Sequence, residues 1–180
     1  MVAPSADLTV LYGEETECKM KQVSAEIVEQ TWKRVGSISP EDAPATIDEM
    51  GREQPFVLAY LTGVAEGRLT KDEQGLHLHI GIVAWQAMKE GGGELPMVSG
   101  EDLDNAEANN SQMLEFFQDE PEAGFYDGVQ TLFKSYNQYE IMKYILEALM
   151  EEPEEGVILR DESIGPMFMY LKTVLDAMDR

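Results

Sequence analysis

The stretch Gly75-Leu-His-Leu-His-Ile-Gly-Ile-Val-Ala-Trp85 constrains this chain most, because a segment so apolar must be a strand buried on both faces or a helix surrounded by neighbours. Leu76, Leu78, Ile80 and Ile82 alternate with His77, His79 and Gly81, which is the period of a strand. The flanks decide otherwise. Thr70-Lys-Asp-Glu73 has the spacing of a capping box, the apolar run continues through Val83 to Met88, and Gly91-Gly-Gly93 suits a helix end. A strand here would also need partners, and the other β-like runs are only Leu8–Tyr12 and Val157–Leu159. Residues 71–90 are therefore predicted to form one helix, apolar on nearly all sides from Leu76 onward, at the centre of a helical bundle. Gly75 and Gly81 should each cost that helix about 1 kcal/mol relative to alanine, a cost that a close helix crossing would offset.

The rest of the chain supplies helices to surround it. Ile27, Val28, Thr31, Trp32 and Val35 share one face of a helix from Ser24 to Gly36, with Trp32 as its expected core anchor. Ser39-Pro40-Glu41-Asp42 reads as the cap and first turn of a second helix, ending before Pro55. Pro55 opens a third with a stripe of Phe56, Val57, Tyr60, Leu61 and Val64. A polar helix from Ser99 to Gln118 turns Leu103, Ala106, Met113 and Phe117 inward, and a short helical piece covers 126–134. Ser135-Tyr-Asn-Gln138 has capping-box spacing before a helix with Tyr139, Met142, Ile145, Leu146 and Leu149 on its apolar side. The last helix keeps a 3.6-residue period through Ile164, Met167, Phe168, Leu171, Val174, Leu175 and Met178. The expectation is an all-α bundle of about seven helices: an irregular segment over 1–20, then one helical domain over 21–180, with 91–96 the place where two lobes would join.

Charge narrows the function classes. The net charge of the 180 residues is −22, with 8 basic and 15 acidic residues in 1–90 against 5 and 20 in 91–180. Such a chain repels phosphate backbones and anionic membranes, so neither nucleic acid nor membrane is expected as a partner, whereas a basic protein would be attracted. The single cysteine, Cys18, excludes an intramolecular disulfide, and the N-terminus lacks the basic and apolar pattern of a signal peptide. The expected location is the cytoplasm.

Catalytic signatures fail residue by residue. His77 and His79 on a helix lie roughly 200° apart around its axis and cannot chelate one ion together. Three residues before them stand Gln74 and Leu76, not the glutamates of a di-iron bundle. Asp102-Leu-Asp104 begins like a calcium loop, but Glu107 and Met113 occupy the positions that require glycine and glutamate. Gly91-Gly-Gly93 is followed by Glu94-Leu-Pro96, without the lysine of a phosphate loop. His77, His79 and Glu73, four residues before His77, remain as the candidates for a metal or acid/base site. Glu151, Glu152, Glu154 and Glu155 form the densest acidic cluster and the candidate interaction site. Aromatic residues from Phe116 to Tyr144 stand among acids, as anchors within a charged rim do. No motif calls for a cofactor. The sequence thus points to a non-enzymatic acidic helical protein acting as an adaptor, regulator or assembly factor, through a protein partner or self-association. The alternative is a metal-dependent or acid/base enzyme built around His77 and His79.

Overall fold

The computed structural model describes residues 19–118, 132–151 and 159–180, with the side chains of 116–118 left aside. Over these residues the protein is an all-α packed bundle. Its seven longer helices are α1 (Ala25–Gly36), α2 (Ala43–Glu53), α3 (Pro55–Ala65), α4 (Lys71–Gly91), α5 (Gly100–Gln118), α6 (Tyr139–Met150) and α7 (Asp161–Met178). A helical turn at 132–135 precedes α6.

α4 is the axis around which the others are arranged, touching α1, α3, α6 and α7. Thr70 and Glu73 form the reciprocal capping box, which satisfies two of the orphan amides at its start. Ile80, Gly81, Ile82, Val83, Ala84, Trp85, Ala87 and Met88 then run buried with hardly an interruption. Gly81 lets α3 come close: a Cβ there would stand 2.6 Å from Leu61 Cδ1. Gly75 has no such reason, since a Cβ at that position would meet nothing within 4 Å. Gly93, at φ 101°, turns the chain away in a region closed to most side chains. Residues on both sides of 91–96 enter one core, from Val23 and Val28 to Leu171 and Met178.

Four local expectations are corrected. Trp32 is not a core anchor: its ring is 42% exposed, and α1 buries Val28, Thr31 and Val35 instead. The periodicity placed Thr31 and Trp32 on one face; the structure turns Thr31 inward with Val28 and Val35, and its Oγ1 donates to Glu90 Oε2 at 3.3 Å. α2 begins at Ala43 rather than at Pro40, because Ser39 to Asp42 form a turn in which Ser39 Oγ accepts from the Asp42 amide, 3.2 Å. Ser135 and Gln138 form no capping box: Gln138 is itself the N-cap of α6 and makes no side-chain capping bond. Its buried amide instead accepts from Val23 N at 3.1 Å and donates to Lys21 O at 3.1 Å and Asp179 Oδ1 at 2.8 Å, which ties three chain segments together. Tyr139 is exposed, while Ile141, Met142, Ile145 and Leu149 carry the buried face of α6.

The run Val157–Leu159, readable as a short strand or an extended connection, and the helical piece over 126–134 fall mostly outside the described residues, and so do 1–18. Leu159 has no regular structure, and α7 keeps the amphipathic period read from its sequence. Pro166 lies inside α7 on the exposed side, where a carbonyl deprived of its amide partner can turn to water. Among the described residues no helix is long and apolar enough to cross a membrane.

Candidate functional site

The structure separates the three residues that sequence reasoning grouped around the histidines. Glu73 is fully buried and faces α7. Its Oε1 accepts from Arg160 Nε at 2.9 Å and from Arg160 N at 3.1 Å, and its Oε2 accepts from Arg160 Nη2 and from Thr70 N, both at 2.8 Å. These bonds, the Arg160 guanidinium foremost, outweigh burial and hold the carboxyl well below the usual carboxylate range. Glu73 is an ionised strut that joins the start of α4 to the start of α7, and it leaves no contact for His77.

His77 sits one turn further along α4, fully buried, with neither ring nitrogen hydrogen-bonded. Its ring meets the edge of Tyr170, centroids 6.0 Å apart at 84°, and Tyr170 in turn meets Tyr60 at 6.4 Å. Burial alone lowers the imidazole to about 4, so it is neutral in the folded protein. His79 is half-buried and likewise lowered by burial. A general base needs a route to substrate, and an imidazole with no exposed area has none in this conformation. Among the described residues, no group of three or more His, Cys, Asp or Glu side chains is placed to hold a metal ion.

A cleft of about 270 Å³ opens beside the Glu73 strut, between Arg68, Arg160, Ser163 and Tyr170. Two guanidinium groups at its rim suggest an anion, but two carboxylates, Glu73 and Glu162, already lie against Arg160. Arg160 Nη1 donates to Glu162 Oε1 at 3.1 Å and Nη2 to Arg68 O at 3.0 Å, besides the two bonds to Glu73. Arg68 Nη1 donates to Tyr170 Oη at 2.7 Å. With Glu162 also at the wall, little positive charge is left over.

Sequence reasoning missed a second polar assembly, where α5 lies on α7. Lys172 Nζ, buried, donates to Asn110 Oδ1 at 2.7 Å and Asp176 Oδ2 at 2.6 Å. Asn110 Nδ2 donates to Thr173 Oγ1 at 3.1 Å and to Asp176 Oδ2 at 3.0 Å. Tyr136 Oη bonds the other Asp176 oxygen, and Lys172 Nζ stands 5.3 Å from the Tyr136 ring centroid. Nearby, burial first and the Glu107 carboxylate second push the Tyr60 phenol up to about 12. The four-residue spacing of Lys172 and Asp176 was the one available signal for this cluster. Lys172, Asn110, Thr173 and Asp176 thus satisfy one another.

The uncommitted charge lies on the outside. α5 contains Glu101, Asp102, Asp104, Glu107 and Glu115 and no lysine or arginine. Among the described residues Asp102 is its one carboxylate in an ion pair, with Arg180, and the other four are exposed. Leu114 is exposed on the same helix. Glu151, from the acidic cluster, is exposed at the C-terminal end of α6, where the helix dipole gives a carboxylate no support. Glu152, Glu154 and Glu155 lie outside the described residues. Of the aromatic run, Tyr139 is exposed and Phe133, Tyr136 and Tyr144 are half-buried against the core. Comparison with family models, with curated proteins and with solved structures gives no match.

Proposed function

We propose that this protein is a non-enzymatic interaction module, an adaptor, regulator or assembly factor that receives a positively charged protein partner on its acidic C-terminal half. One observation carries the reading: α5 offers four exposed carboxylates without an ion-pair partner among the described residues, whereas the buried charges Glu73 and Lys172 are paired with Arg160 and Asp176. Charge left uncompensated on a surface repels itself, and it steers an oppositely charged protein toward docking. Exposed Leu114 adds apolar contact within that field.

The test is affinity capture from the host's lysate at low and high salt, with the wild type beside two charge reversals, Glu101→Lys with Asp104→Lys and Glu151→Lys with Glu154→Lys. The proposal expects a stoichiometric basic partner at low salt that is released at high salt and lost with at least one reversal. A partner that binds both reversals as well as the wild type at low salt refutes electrostatic recognition by these residues.

A further inference from the structure

We infer that α5 is a separable cover: it opens away from α3 and α7 as a unit, while the bundle centred on α4 stays folded. The inference stands apart from the identity of any partner. Among the described residues of α5, burial reaches only Leu103, Ala106 and Asn110, in a helix of 19 residues. An isolated helix with so little apolar contact has weak support of its own, because helical stability in proteins comes mainly from packing an apolar face.

The seam beneath it makes opening cheap. Asn110 meets Lys172, Thr173 and Asp176, and Tyr60 lies beside Glu107. Each of these groups can take up water in place of its partner, whereas an apolar seam exposed to water keeps its full penalty. The boundary of the moving unit is also marked. Gln54, buried at the end of α2, donates from Nε2 to Pro96 O and accepts from Val98 N, both at 2.9 Å. Val98 is fully buried. The segment up to Val98 is therefore pinned to the core, and the hinge falls at the Val98–Ser99 junction, because Ser99 Oγ accepts from the Asp102 amide at 3.2 Å and moves with α5. One outer tie, Asp102 with Arg180, closes the N-terminal end of the cover.

Native-state hydrogen exchange of the full chain decides the matter. Amides of α5 from Ala106 to Leu114 should exchange at least ~100-fold faster than those of α4 from Ile80 to Met88, with Val98 on the slow side of the boundary. Arg180→Gln, which removes the outer tie, should speed α5 exchange by about 2- to 5-fold. Asn110→Ala should speed it by about tenfold, whereas Ile80→Val, which weakens only the core that stays folded, should speed α4 exchange by about 2- to 10-fold and leave α5 unchanged. Exchange of α5 within tenfold of α4 overturns the proposal. So does an equal acceleration of both helices by Ile80→Val, because α5 would then open only with global unfolding.

Discussion

α4 and α5 are nearly equal in length, yet they belong to the fold in different ways. α4 has 21 residues and buries ten of them, including Trp85 and Met88, with His77 enclosed among them. α5 has 19 and, among its described residues, buries Leu103, Ala106 and Asn110. One helix is held by the exclusion of water from a continuous apolar surface; the other is held by two apolar side chains and a seam of polar groups that water could also serve. The difference teaches that helix length and quality of pattern do not rank helices by their hold on the molecule. What an element touches when docked decides that.

Substitutions can break or sharpen this contrast. Trp85→Ala should cost about 3–5 kcal/mol in urea denaturation, as the loss of a large core ring from α4. If Leu103→Ala on α5 cost as much, the contrast would fail. His77 gives a second reading of α4. In the unfolded chain the imidazole takes a proton near pH 6.5, and in the folded protein burial lowers it to about 4. Between those values the unfolded state binds more protons, so this group's contribution to stability falls as pH drops from 7 and levels off below about 4. Against a His77→Leu variant, the wild type should lose about 2 kcal/mol between pH 7 and pH 5. Equal pH slopes would show the imidazole to be reachable by water.

Smaller effects sharpen the other side. Asn110→Ala should cost about 1–2 kcal/mol, the size of a lost buried hydrogen-bonding group rather than of a lost core residue. Gly75→Ala should stabilise α4 by about 0.5–1 kcal/mol, visible as a higher melting temperature, because the site is open and helical. The same change at Gly81 should have the opposite sign, since the methyl group would collide with Leu61. Last, Glu101→Lys with Asp104→Lys should move stability by no more than about 0.5 kcal/mol, which leaves the pair usable as a test of binding alone.

Much of the fold was legible because its signals are local. The Thr70–Glu73 box, Pro55 at the head of α3, the glycines after α4 and the stripe of α7 each state their element within a few residues. The failures are equally instructive. Thr31 and Trp32 both fit the inner face of α1, and the choice between them shows only in packing against distant segments, where Thr31 meets Glu90, 59 residues away. At Ser135–Gln138 the right spacing was present, but Gln138 found better partners 115 and 117 residues upstream. The candidate site was less legible than the fold. Glu73 was singled out as a possible companion for His77, and it turned to Arg160, 87 residues on. Nothing in the sequence around Asn110 marks it as a partner for Lys172, because a lone amide in a polar helix looks like any solvated residue. Long-range polar pairing has no period, and sequence reading works by period.

The two tryptophans carry one more consequence. They are the chain's only indoles, one sealed in α4 and one facing solvent on α1. Acrylamide should quench the red-shifted emission of Trp32 and leave the blue emission of Trp85 untouched while the core is closed. The unlabelled protein is thus its own two-channel optical probe, and a change in the unquenchable fraction dates the moment when water first reaches α4.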